Sequence, residues 1–124
     1  MENRREFLKT LAMAAVVSGR APALGANDRV RLAVIGTGNR GRILARYFAA
    51  LPECDLVAAC DVRRSRLDET LADLGAKVEA CGDYRRILDR NDIDAVVVAT
   101  PDHWHAPMIV EACAAGKDVY VEKP

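Results

Sequence analysis

Apolar residues fall along the chain in two alternating periods. Residues 30–35 (VRLAVI) are almost continuously apolar, as in a strand covered on both faces. Ile43, Leu44, Tyr47, Phe48 and Leu51 then recur at helical spacing and predict one apolar helix face, closed at Leu51-Pro52. Residues 55–60 (DLVAAC) predict a second strand. Leu67, Leu71 and Leu74 mark a second helix, stopped by Gly75. A short third strand is expected at 77–80. Asp83 is a good N-cap for a helix carrying Tyr84, Ile87 and Leu88. Residues 94–99 (DAVVVA) form the plainest strand, 106–115 a helix closed by Gly116, and 118–121 a fifth strand.

Strands alternating with helices imply an α/β fold with a parallel sheet covered on both faces. Right-handed crossovers make it doubly wound, Rossmann-type, with expected strand order 3-2-1-4-5. There is no internal repeat and no low-complexity linker. Composition agrees: 21 Ala and 13 Val against a single Trp among 124 residues suit helices lying close on a parallel sheet. A hydrophobic share of 51% argues against disorder. The 18 basic and 18 acidic residues cancel, with no long basic run, which argues against a nucleic-acid partner.

That neutrality hides two parts. Residues 1–26 hold four basic and two acidic residues, and residues 27–124 hold 14 and 16. The first part reads as an address: a charged stretch at 1–10, an apolar run at 11–19 too short to span a bilayer, and a small-residue cleavage site at Ala21-Pro22-Ala23. Arg4 and Arg5 followed by Phe7, Leu8 and Lys9 resemble a twin-arginine export signal, although Asn3 stands where that pattern more often has Ser or Thr. The alternatives are a general secretory signal or an amphipathic helix. Residues 27–124 are the expected folded domain, and export to the periplasm or another extracytoplasmic space is the expected destination.

Gly36-Thr37-Gly38-Asn39-Arg40-Gly41 is a G-x-G-x-x-G turn between the first strand and the first helix, the context in which this motif binds a dinucleotide. Gly36 allows the tight turn, Gly38 lets backbone approach a pyrophosphate, and Gly41 lets helix and strand pack closely. The N–H groups and positive dipole end of the helix then face the phosphates. Asp61, 20 positions after Gly41, sits where a carboxylate accepts hydrogen bonds from the adenosine ribose and repels a 2′-phosphate, favouring NAD over NADP. Arg63 and Arg64 pull the other way if they reach a 2′-phosphate; otherwise they are solvated charges of a helix start.

Residues 100–107 (TPDHWHAP) hold both histidines and the Trp, at the carboxyl end of a central strand where open α/β sheets bind ligands. Asp102, His103 and His105 suggest a metal only weakly, since a fourth ligand and outer partners are not evident. Walling the nicotinamide end is the preferred reading, with Trp104 alternatively a helix-start anchor. Lys123 lies at the end of the fifth strand, on the ligand side; an exposed lysine is the plain alternative. Cys54, Cys60, Cys81 and Cys113 form no C-x-x-C and are expected to be buried free thiols.

VIGTGNRG at 34–41, CDV at 60–62, DIDAVVVATPDHWHAP at 92–107 and AGKDVYVEKP at 115–124 together resemble the N-terminal domain of the glucose–fructose oxidoreductase, inositol dehydrogenase and MocA family (Gfo/Idh/MocA). The glycine motif is general; the A-T-P-D-H-W-H-A-P and E-K-P segments are fairly specific. The resemblance implies an NAD(P)-dependent oxidoreductase acting on a sugar, cyclitol or related polyol, and a homo-oligomer at full length. It makes Lys123 the active-site lysine that holds the reacting hydroxyl and assists its proton transfer. It matches Thr100, Pro101 and His105 to positions that contact the cofactor and puts Glu122 beside the cofactor. It also implies a second, substrate-bearing domain, so that these 124 residues are expected to be an inactive, marginally stable cofactor half. Two other functions compete: an NAD-dependent glycoside hydrolase using transient oxidation, and a non-catalytic nucleotide-binding module. The E-K-P at 122–124 favours the oxidoreductase.

Overall fold

The computed structural model describes residues 28–124, so the export signal read at 1–26 lies outside the described residues. Five strands, β1 (Val30–Ile35), β2 (Cys54–Cys60), β3 (Glu79–Cys81), β4 (Ala95–Val98) and β5 (Asp118–Val121), form one sheet in the order β3-β2-β1-β4-β5. All neighbours pair in parallel, as the alternating pattern requires. Four helices connect them: α1 (Asn39–Ala50), α2 (Arg64–Leu74), α3 (Tyr84–Leu88) and α4 (His105–Ala114). A single 3-10 turn, Asp102–Trp104, leads into α4.

The apolar runs at β1 and β4 are explained by two cores, one on each face of the sheet. Leu32, Val34, Leu56 and Val97 pack on one side with Leu44 and Ala45 of α1. Ala33, Ile35, Val96 and Val98 pack on the other with Ile87 and Leu88 of α3 and Met108 and Ala112 of α4. Val34, Val96, Val97 and Val98 are fully buried, each contributing about 1.5–3 kcal/mol of apolar burial. The β1–β2 pairing shifts by one: Leu32 stands opposite Leu56 but Ala33 opposite Ala58. Val57 is left over and turns into the second core, a local bulge that raises twist.

Several expectations are corrected. The third strand lies at Glu79–Cys81, two residues beyond the expected start, because it pairs with the last three residues of β2. On α1 the buried line is Gly41, Leu44 and Ala45, with Phe48 partly covered; Tyr47 is 66% exposed. Small residues, not the tyrosine, let α1 approach the sheet. The thiols are not uniformly buried: Cys60 is buried, Cys54 and Cys81 are partly covered, and Cys113 is exposed. Cys113 lies one residue round the helix from Ala112, which takes the core position with Met108.

Lys117 is a buried cation whose place was not legible. It is 7% exposed, and its Nζ donates to the carbonyls of Arg90, at 2.6 Å, and Ile93, at 2.9 Å. It therefore pins the connection before β4 to the start of β5. Lys117→Met keeps the stem but leaves both carbonyls without this donor. The expected loss is about 1–3 kcal/mol of unfolding free energy, read as a lower urea midpoint with an unchanged slope; an unchanged midpoint would refute this role.

Candidate cofactor site

The carboxyl ends of β1 to β4 converge on one cavity of about 780 Å³, within the usual several-hundred-Å³ range of small-ligand sites. Its walls come from four connections: Gly36, Gly38, Asn39 and Arg40 after β1; residues 60–63 and Arg66 after β2; residues 82–85 after β3; and Thr100, Pro101 and Trp104 after β4.

The glycine turn is built by close backbone contact. Gly36 has φ +91°, a left-handed conformation that glycine adopts without strain. A Cβ on Gly41 would lie 1.8 Å from the Gly36 carbonyl oxygen, so only hydrogen fits there. Gly38 precedes α1 in extended conformation, and no side chain caps the helix. The first N–H groups of α1 thus keep their capacity for an anion. A Cβ on Gly38 would stand 3.4 Å from Nη1 of Arg66, so that guanidinium lies close over the turn.

Asp61 is bonded to the turn rather than merely near it. One carboxylate oxygen accepts from the Thr37 N–H at 2.8 Å and the Thr37 hydroxyl at 3.1 Å. The other accepts from the Arg63 N–H at 2.8 Å. Behind the turn, the buried Thr70 hydroxyl of α2 donates to the Thr37 carbonyl at 3.5 Å. Thr37 is therefore gripped from both sides and itself buried. Three of the carboxylate's roughly four acceptor sites are filled, which leaves about one open for a further donor.

The segment after β4 is held by its own histidine. His105 Nε2 donates to the Thr100 carbonyl at 2.7 Å; a carbonyl only accepts, so that nitrogen carries the proton. The Trp104 N–H closes the 3-10 turn onto the Pro101 carbonyl at 3.0 Å. His103 stands with Trp104, ring centroids 5.7 Å apart. Trp104 is half-exposed at the cavity wall.

Beyond β5 the ladder runs one residue further, the Glu122 N–H donating to the Val98 carbonyl at 2.9 Å. Glu122 then pairs with Arg40, whose Nε donates to Oε2 at 3.0 Å. That hydrogen bond holds the Glu122 carboxyl below its usual range and raises the Arg40 guanidinium. Lys123 is exposed, and its ammonium has no hydrogen-bond partner among the described residues.

Of the residues read from the sequence, Gly36, Gly38, Asn39, Arg40, Asp61, Thr100 and Pro101 line the cavity. Thr37 and Gly41 are buried behind it, and His105 holds the loop from outside the lining. Glu122 and Lys123 stand at the end of β5, tied in through Arg40. Arg66, Thr70 and the 82–85 connection were missed. The last was accessible from topology alone, because a strand beside β2 ends on the same side. Cys60, at the cavity floor, has its thiol pushed up to about 12, first by burial and then by the neighbouring Cys81. It is a poor nucleophile there.

These residues fit a dinucleotide: an uncapped helix start behind a glycine turn, a fixed carboxylate after β2, and a cavity wide enough to reach both. Comparison with known proteins agrees. Residues 30–124 match the family model described as Oxidoreductase family, NAD-binding Rossmann fold (GFO_IDH_MocA). A glycosyl hydrolase family 109 protein of Shewanella pealeana is 32% identical, the match covering 98% of this chain and 33% of that protein. The scyllo-inositol dehydrogenase of Lactobacillus casei, solved with NAD(H) and scyllo-inositol, superposes with a TM-score of 0.70 at 32% identity, over 77% of this chain and 28% of that one. A 3-ketoreductase of Actinomadura kijaniata, solved with NADP and TDP-benzene, gives 0.70 at 32% identity, over 77% and 29%. The chain thus spans about a third of the length of such relatives.

Proposed function

The chain belongs to the Gfo/Idh/MocA oxidoreductase family through its NAD-binding Rossmann domain, and from that premise we propose that it serves hydride transfer between NAD and a carbinol carbon of a sugar, cyclitol or related polyol. The bond from Thr37 to Asp61 carries this reading, because it joins the phosphate-binding turn to the ribose-reading carboxylate at one cavity wall. When bound, the nicotinamide accepts or returns the hydride. The chain's own residues do the rest. The backbone of Gly36, Gly38, Asn39, Arg40 and Gly41 shapes the pyrophosphate seat, with Thr37 bracing it. Asp61 orients the adenosine ribose. Thr100, Pro101 and His105 border the nicotinamide end, with Trp104 limiting water there. Lys123, at the end of β5 beside Glu122, holds the reacting hydroxyl and its proton at Nζ. The substrate pocket, a homo-oligomeric assembly and export directed by residues 1–26 belong to the same reading of the full-length protein.

NAD is preferred over NADP because Asp61 presents negative charge where a 2′-phosphate would sit. Arg63 and Arg66 at the cavity rim temper that preference. The similarity to a family 109 glycosyl hydrolase favours one second reading, in which the hydride is returned to the same sugar within each turnover and a glycosidic bond is cleaved.

One assay separates these. The full-length protein is incubated with NAD and a panel of cyclitols, hexoses and aryl glycosides while reduced nicotinamide and released aglycone are followed. Net NADH from a polyol, with NAD bound at least about tenfold more tightly than NADP, is the expected result. Aglycone release without net NADH would replace the first reading by the second. Tighter NADP binding would overturn the cofactor preference, and no binding of either would overturn both.

A further inference from the structure

The sequence places Arg40 among the phosphate-facing residues, but its guanidinium is engaged elsewhere. Its Nε donates to Oε2 of Glu122 at 3.0 Å, across 82 positions of sequence. The other oxygen of the same carboxylate accepts from the Lys123 N–H at 3.2 Å. One carboxylate thus bridges the start of α1 to the backbone of Lys123. It is well covered, 18% exposed against 54% for Arg40.

We propose that Arg40 is a positioning residue: through Glu122 it sets where Lys123 stands relative to the glycine turn. This rests on the reading of Lys123 as the active-site lysine. Among the described residues β5 pairs only with β4, and the last ladder bond is made by Glu122 N–H. Past that rung the backbone is steered by the carboxylate bridge. Transfer of a hydride demands placement within a fraction of an ångström of the productive geometry. The glycine turn and the lysine to be registered lie on segments some 82 positions apart in sequence. The Arg40–Glu122 pair links their supporting segments next to the glycine turn, while the Phe48–Tyr120 ring contact joins α1 to β5 further from it. As a partly exposed ion pair it contributes little to global stability, so its removal is felt in geometry rather than in melting.

The roles of phosphate ligand and strap separate experimentally. Arg40→Met removes the donor and keeps the stem; Glu122→Gln removes the carboxylate charge and keeps the shape. In the full-length protein the strap predicts that each lowers kcat about tenfold and that the double variant is no worse than either single one. KM for NAD should stay within about twofold in all three. Independently of turnover, hydrogen exchange at the Lys123 amide of the cofactor-free protein should quicken about tenfold in Arg40→Met, while Val119 and Tyr120 amides keep their rates. Unchanged Lys123 exchange would overturn the strap whether or not the protein proves to be an oxidoreductase. So would a raised KM for NAD in Arg40→Met with Glu122→Gln like wild type, which is the signature of a phosphate ligand alone. If wild type shows no hydride transfer, the functional reading fails and the exchange measurement alone decides the strap.

Discussion

Gly41→Ala is expected to abolish dinucleotide binding and to strip the domain of much of its stability. The added methyl would meet the Gly36 carbonyl oxygen at 1.8 Å and its carbon at 2.8 Å. Both are backbone atoms, so no rotamer change relieves the clash, and the turn or α1 must move. Gly36 cannot yield easily, because any Cβ there would itself lie 2.8 Å from the backbone of Ala99 and Thr100. Displacing α1 opens the core formed by Leu44, Ala45, Val34 and Val97. A loss of about 3–5 kcal/mol is expected, comparable with a large share of a small domain's total stability. Gly75→Ala is the matched control. Gly75, unlike Gly41, has a positive φ, +86°, with ψ −179°, but a Cβ there meets nothing within 4 Å. It should cost about 1–3 kcal/mol, the backbone strain alone without a clash. Urea titration and NAD titration followed by Trp104 fluorescence measure both variants. Wild-type affinity in Gly41→Ala would mean that the turn does not hold the pyrophosphate.

Lys123→Met should lower kcat of the full-length protein by about 10²–10⁴-fold, the usual worth of a positioned acid–base group. The NAD dissociation constant should change by less than about threefold, since Lys123 lies outside the cavity lining and bonds to no residue of the glycine turn. Methionine keeps the length of the stem, so the variant tests the ammonium and not the packing. Rapid mixing with substrate and calorimetric titration with NAD give the two numbers. Wild-type turnover in Lys123→Met would remove Lys123 from the chemistry, whereas a parallel loss of NAD affinity would make it a cofactor ligand.

Much of this architecture is legible in the chain because it rests on local signals. β1 and β4 are apolar runs covered on both faces. Gly36, Gly38 and Gly41 are spaced for a turn whose geometry admits little else. Asp83 caps α3 as its position suggests, accepting from the Arg85 N–H at 3.0 Å. What escaped was set by partners distant in sequence. β3 has three residues, and only the end of β2 decides which three. Thr70 looks like a solvent-facing helix residue until the Thr37 carbonyl gives its hydroxyl a partner. Lys117 reads as surface charge, yet two carbonyls of another connection receive it. The pairing of Arg40 with Glu122 has no local signature at all. The candidate site was legible as a set of residues, but not as a division of labour between those that face the cavity and those that brace it.

The grip on Asp61 bears on how coenzyme choice can evolve. A substitution at Asp61 aimed at admitting a 2′-phosphate also releases the Thr37 N–H, the Thr37 hydroxyl and the Arg63 N–H. If Asp61 reads the ribose as proposed, selectivity and the shape of the phosphate turn are inherited as one trait. On that reading a lineage exchanging one coenzyme for the other must re-anchor Thr37 in the same step, and a single replacement at the carboxylate is expected to bind both poorly.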